Sequence, residues 1–283
     1  MSYRLFAFDL DGTAIVSGQQ PTSRVLAAVR AAQERGVHMV VATGRPYMSG
    51  LRYARTFGVH APLICYQGAL VKAVNGSDET LYVSPLATEP LAELIAAAEA
   101  RDLELTLYTE QYIYLTVLRH PREFYDLWFG LTLRQVPRLG DALDLMAVNG
   151  ETPLKALFIG DVESNDRVTP ELAGQFAGRL DIIRSHSLFI EALTPGISKA
   201  SALAFLAQRL GVAQHETIAA GDAGNDVSMV AWAGLGVAMA NASPDVHAVA
   251  DWVAPHVDDD GLATVIERFI LNADRKNSGA ARG

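Results

Sequence analysis

The chain has 283 residues, half of them hydrophobic and 19% charged, with one cysteine and a formal net charge of −9; this describes a folded chain with room for one large domain or two smaller ones. Acidity without a basic cluster argues against nucleic acid as a partner, and a lone Cys65 excludes an internal disulfide or a multi-cysteine metal centre. No apolar run approaches the ~20 residues of a membrane span, and Asp9 and Asp11 interrupt the stretch where a secretory leader needs continuity, so a cytoplasmic protein that meets no membrane is expected.

The first element is "RLFAFDLDGTAI" (4–15). Four apolar residues followed by Asp-Leu-Asp-Gly read as a strand buried on both faces and ending in a turn. If the extended form persists to residue 11, Asp9 and Asp11 point the same way. A helix is predicted over 21–36, with Thr22 or Ser23 as its cap. A buried strand at 37–44 follows, then a third at 61–68 and a hairpin through 70–83 around Asn75-Gly76. Alternating strands and helices predict a parallel sheet with helices on both faces.

The character changes near residue 84. A helix at 90–102 precedes "LELTLYTEQYIYLTV" (103–117), whose alternation predicts an antiparallel hairpin with one exposed face. A short helix at 122–130, a strand at 153–160, a helix at 170–180 and two strands around a polar turn at 181–193 complete an α+β segment. The α/β pattern resumes with a helix at 198–211, a strand at 217–222, a helix at 226–234 and strands at 236–240 and 251–255. A polar tail at 272–283 is expected to fray.

In an open parallel sheet, ligands bind beyond the carboxyl ends of the strands. The predicted ends collect Asp9 and Asp11; Thr43, Gly44 and Arg45; and Asp222, Asn225 and Asp226, with Lys199 at the start of the helix after the insert. Asp and Gly are also ordinary turn residues, so any one cluster has a bland reading as an exposed loop. Together they suit a phosphate ester. Asp9, Asp222 and a carbonyl near Asp11 match the oxygen preference of Mg²⁺. Asp9 can act as a nucleophile and Asp11 as an acid and then a base. Thr43 and the amides of the Gly44 turn can hold phosphoryl oxygens, and Lys199 offsets the excess negative charge.

"DLDGT", "ATGR", the Lys of "PGISKASAL" and "GDAGNDVSM" resemble the four signature motifs of the haloacid dehalogenase superfamily of phosphatases. Their order, with an insert between the second and third, resembles the Cof-type hydrolases with a type II cap. The resemblance implies a Rossmann-like α/β core at 1–83 and 194–271 and an α+β cap at 84–193. It also implies an Mg²⁺-dependent phosphatase of a small phosphorylated metabolite, a sugar phosphate or a phosphorylated cofactor. Asp9 would be the nucleophile and Asp11 the acid–base. Asp9, Asp222 and the Asp11 carbonyl would hold the metal, with Asp226 behind it. Thr43, Gly44, Lys199 and Asn225 would hold the phosphoryl group. A phosphotransferase such as a phosphomutase, or a non-catalytic metabolite-binding protein, are the rival readings. Arg45 is either a substrate contact or a surface residue at a helix start. The chain reads Gln-Gly-Ala at 67–69 where the family often has Asn-Gly-Ala, so no substrate contact carries over to Gln67. His186 is expected to be exposed in its turn, Tyr108, Tyr112 and Tyr114 to be sheet residues, and Cys65 to be core. The sequence carries no signal for an oligomeric state.

Overall fold

Residues 3–77 and 79–272 are described by a computed structural model. The strand Leu5–Phe8 lies inside a five-stranded, all-parallel sheet whose spatial order is Trp252–Ala254, Leu235–Met239, Thr217–Gly221, Leu5–Phe8 and His38–Val41. Phe8 stands opposite both Ala220 and Val41. All four residues of Leu5–Phe8 are buried, as a strand covered by helices on both faces requires. The helix Ser23–Glu34 begins at Thr22, whose hydroxyl accepts the Val25 amide.

The expected third strand, Leu63–Cys65, touches this sheet through a single bridge from Ile64 to Ala42. It pairs instead, antiparallel, with Leu70–Lys72, which pairs with Thr80–Val83. The turn at Tyr66–Gly68 reverses the chain before a crossover helix can form.

A second sheet has the order Asp181–His186, Phe189–Leu193, Lys155–Ile159, Glu104–Tyr108, Tyr112–Leu115 and Thr132–Gln135. Helices Thr88–Ala100, Leu139–Asn149 and Val162–Gln175 bury Leu94, Met146 and Leu172 against Leu105, Phe158 and Ile190 of this sheet. Tyr108, Leu157 and Phe189 belong instead to the larger core shared with the parallel sheet, together with Tyr125 and Phe129 of the short helical segment beginning at Arg122.

The exposed face expected for the hairpin at 103–117 is therefore absent from Glu104–Tyr108, which is buried throughout. Two of its polar residues are satisfied inside, the Thr106 hydroxyl donating to the Leu157 carbonyl and the Tyr125 hydroxyl to Glu104, whereas the buried Tyr108 hydroxyl has no hydrogen-bond partner among the described residues. The helix expected at 170–180 begins at Val162, where the Asp161 side chain accepts the Ser164 amide. Pro170, a natural first-turn residue, lies inside it. The sequence pattern signals neither Thr132–Gln135, Leu139–Asn149 nor Tyr47–Phe57. Apart from Asn272, the expected tail at 272–283 lies outside the described residues.

Candidate active site

The first strand ends at Phe8, and the chain turns at once: the amides of Thr13, Ala14 and Ile15 all converge on the Leu10 carbonyl. The strand thus does not continue to Asp11, and the condition under which alternation would align the two carboxylates is not met. Both Asp9 and Asp11 nevertheless line one cavity of about 290 Å³ at the carboxyl end of the parallel sheet. Gly12 is held at φ +89°, and a Cβ there would lie 2.2 Å from Oδ2 of Asp222. Only glycine lets the turn and the Asp222 carboxylate come this close. Asp222 follows the strand Thr217–Gly221 and accepts the Thr13 hydroxyl at 2.7 Å.

Lys199 opens the helix Lys199–Arg209, which Ser198 caps by accepting the Ser201 amide. Its ammonium is fully buried and donates to Oδ1 of Asp9 and Oδ1 of Asp226, both at 2.6 Å. Oδ2 of Asp226 accepts the backbone amides of Asp222 and Ala223. Lys199 and Asp226 therefore stand behind the cavity wall, where two carboxylates draw the ammonium away from open space. Burial alone would depress the Lys199 pKa, but Asp226 and Asp9 outweigh it and raise it.

Thr43, Gly44, Arg45, Asp222 and Asn225 all line the same cavity. Arg45 is no surface residue: it is 6% exposed and grips Asp11 through two nitrogens, Nε at 2.6 Å and Nη2 at 2.7 Å. Its Nη1 donates to the Ser49 hydroxyl and the Leu127 carbonyl. Planar two-point recognition of a carboxylate is a guanidinium property that lysine does not reproduce. Thr43 directs its hydroxyl oxygen to the Arg45 amide.

The opposite wall comes from the second sheet and its short helix. Trp128, His186 and Phe189 line it. His186 is half-buried, with its ring centre 4.9 Å from Trp128 and 5.2 Å from Phe189. Its expected exposure is thus corrected; burial lowers its pKa, only partly offset by Asp11. Tyr108, Tyr112 and Tyr114 are strand residues and Cys65 is buried, as expected.

Sequence reasoning missed a polar chain at the cavity floor. Lys155 and Glu191 pair at 3.0 Å, Gln67 Nε2 donates to Glu191 at 3.0 Å, and Asn225 Nδ2 donates to Gln67 Oε1 at 2.9 Å. Lys155 also donates to the Gly44 carbonyl at 3.0 Å. Tyr66 and Gln67 both have positive φ, +51° and +57°, a left-handed conformation that costs non-glycine residues about 1–3 kcal/mol each and concentrates at functional sites. The only sequence signal for Gln67 was its departure from the family's Asn.

Oxygens of Asp9, Asp222 and Asp226 lie within 4.8 Å of one another. Burial, partly offset by Lys199 and reinforced by Asp226 and Asp11, raises the Asp9 pKa to about 7. Burial, then Asp226 and Asp9, raises that of Asp222 to about 8. Desolvated carboxylates short of positive charge fit a hard divalent cation with oxygen ligands. Asp226 has both oxygens engaged, which leaves Asp9 and Asp222 as the available donors.

A parallel α/β sheet with carboxylates and a hydroxyl beyond its strand ends, a buried lysine at a helix start and a second sheet facing them suits a hydrolase of the capped α/β type. A family profile described as haloacid dehalogenase-like hydrolase matches residues 6–266. The chain is 32% identical over 279 residues to "Putative phosphatase YxeH" of Bacillus subtilis (strain 168), covering 95% of this chain and 99% of that protein. It is 30% identical over 279 residues to the 5-amino-6-(5-phospho-D-ribitylamino)uracil phosphatase YcsE of the same strain, covering 95% and 96%. A crystal structure of a haloacid dehalogenase-like hydrolase from Bacteroides thetaiotaomicron superposes with a TM-score of 0.81 at 29% identity, covering 95% of this chain and all of that one. The chain belongs to the haloacid dehalogenase-like hydrolases, and it is an enzyme of the phosphatase class within them.

Proposed function

We propose that this enzyme hydrolyses a small phosphorylated metabolite through a phosphoryl group carried transiently on Asp9. One observation carries the reading: Asp9 sits in the cavity wall with Oδ1 fixed on Lys199, so a carboxylate is oriented from behind towards a site that suits a phosphoryl group. Asp9 Oδ2 forms a bond to phosphorus as the ester oxygen leaves, and Asp11 gives that oxygen a proton. Asp11 then takes a proton from the water that attacks the acyl phosphate, and inorganic phosphate departs. Both tasks need Asp11 to be free, so Arg45 must release it; a phosphate dianion is an equivalent partner for the guanidinium. Thr43 and the Gly44 backbone line the phosphoryl pocket. Asp9, Asp222 and the Asp11 carbonyl would hold Mg²⁺, which supplies positive charge for the phosphoryl oxygens. Residues 84–193 form the proposed cap over the core at 1–83 and 194–271. Their aromatic wall excludes water and contacts the leaving group. The relative named for a phosphorylated ribitylaminouracil supports a small metabolite.

Phosphate release from a panel of phosphorylated metabolites is the test. Turnover with Mg²⁺, without any added acceptor, and lost on chelation is expected. Phosphoryl transfer only to an added sugar would make the protein a phosphotransferase, and binding without turnover on any ester would overturn the catalytic reading.

The raised carboxyl groups set a pH dependence. A carboxyl with a raised folded-state pKa binds more protons folded than unfolded, so stability falls as pH rises from about 4 to about 8. Metal binds the deprotonated forms. Affinity for Mg²⁺, measured by calorimetry, is therefore expected to rise up to tenfold per pH unit per released proton between pH 5 and 8 and then level off. A flat profile would contradict metal binding at Asp9 and Asp222.

A further inference from the structure

We propose that Gln67, Glu191 and Lys155 are positioning residues that set the orientation of the Asn225 amide from the cap side. The use made of Asn225 rests on the phosphatase reading above; the orientation itself does not.

The directions of the hydrogen bonds follow from charge. Lys155 and Glu191 are 2% and 3% exposed and lie on paired strands of the second sheet. Glu191 Oε2 lies 3.0 Å from the Lys155 ammonium without hydrogen-bond geometry, and a carboxylate beside it can only accept. Gln67, 2% exposed, must then turn its amide nitrogen to Glu191, as it does at 3.0 Å. Its carbonyl oxygen is left to accept, and it accepts the Asn225 nitrogen at 2.9 Å. Asn225 is thereby fixed with Oδ1 on its other side. That oxygen is buried without a hydrogen-bond partner at the cavity that Asp222 also lines.

An acceptor held in reserve there suits a donor, such as water on a cation at Asp9 and Asp222. Reversal of the amide would put N–H donors where this acceptor stands. Amide orientation is ordinarily ambiguous; here one buried ion pair decides two amides in series. The left-handed backbone at Tyr66 and Gln67 brings the Gln67 side chain between the two sheets. The Tyr66 hydroxyl, donating to the Thr109 carbonyl, secures the same turn from the second layer.

The test uses Gln67→Met, Gln67→Glu, Glu191→Gln and the double variant Gln67→Glu/Glu191→Gln. Phosphate release from p-nitrophenyl phosphate with Mg²⁺ is measured alongside hydrogen-exchange protection of the Asn225 side-chain amide, assigned by its loss in Asn225→Ala. Outer-sphere partners of a metal site are typically worth 10–100-fold. Each single variant is expected to lower kcat by that much and change KM less than threefold, and Gln67→Met, which removes the acceptor of the Asn225 amide, is expected to lower its protection at least tenfold. In the double variant the glutamine amide introduced at position 191 donates to the carboxylate introduced at position 67. That carboxylate also accepts from Asn225, so the bond between 67 and 191 runs the other way while the bond from Asn225 keeps its direction and every donor has an acceptor. Protection and kcat are expected to return to within about fivefold of the parent.

A folded Gln67→Met protein with parental kcat and protection would overturn the proposal, as would a folded double variant no better than the poorer single one. If Gln67→Met does not fold, Gln67→Asn, too short to reach both partners, is judged by the same criteria. A parent inactive on every ester, but with amide protection that follows the variants as described, would leave the relay standing and remove the phosphatase reading.

Discussion

Replacing Asp9 with Asn is expected to lower turnover by a factor on the order of 10⁴ or more, because an amide cannot take the phosphoryl group. The fold should survive and gain. Asp9 is a buried carboxyl pushed to about 7 by burial and by its neighbours, so at pH 8 the parent without metal carries a charge that folding disfavours. Asn removes that charge and leaves Lys199 its second partner, Asp226, at 2.6 Å. The melting temperature without metal should rise by a few degrees at pH 8 and change little at pH 5. Thermal melts at both pH values and phosphate-release assays check both arms. A folded Asp9→Asn enzyme with turnover would sink the covalent mechanism.

Replacing Lys199 with Met carries the largest expected cost in stability. Lys199 and Asp226 are fully buried, and the ammonium bridges Asp226 to Asp9. Removing one partner of a buried ion pair typically costs about 3–5 kcal/mol, because the other charges remain buried without compensation. For a chain of this size that is a fall in melting temperature on the order of 10 °C. The sign with pH is fixed. Without the ammonium, Asp9 and Asp222 titrate higher still, the folded state retains protons that the unfolded state has lost, and the deficit grows as pH rises from about 5 to 8. Activity should fall together with stability, since Asp9 loses its anchor. Equal melting temperatures for parent and variant at pH 8 would mean that Lys199 does not support the site.

The core site was legible because each piece follows a run whose burial is written in its composition. Asp9 follows Leu-Phe-Ala-Phe, Asp222 follows Thr-Ile-Ala-Ala-Gly, and Thr43 and Arg45 follow Met-Val-Val-Ala. Once those runs are strands of one parallel sheet, their ends must converge. Lys199 was legible as the start of an apolar-periodic helix behind a serine cap. The chain from Lys155 through Glu191 and Gln67 to Asn225 was not. Lys155 and Glu191 are single charged residues in otherwise apolar strands, and their partner comes from a turn in the other layer. Only the apposition of the two layers makes them neighbours. The same cause hid the burial of Thr106 and Glu104, whose partners also come from other elements. His186 was misplaced because a polar turn normally faces water, whereas this one closes over a cavity.

The register of the parallel sheet has a consequence for how activity is inherited by each folded molecule. Phe8 pairs laterally with Ala220 and Val41, so the lattice of backbone hydrogen bonds, with neighbouring strands roughly 4.8 Å apart, sets how far Asp9 stands from Asp222 and Thr43. Side chains alternate faces along a strand, so a slip of one residue would turn the end of the first strand over. The spacing of the reactive groups is therefore quantised: a molecule has the correct register and the whole constellation, or a wrong register and none of it. A preparation of low specific activity should be a mixture of fully competent and wholly inactive molecules, distinguishable by active-site titration, and not a population of uniformly weakened ones.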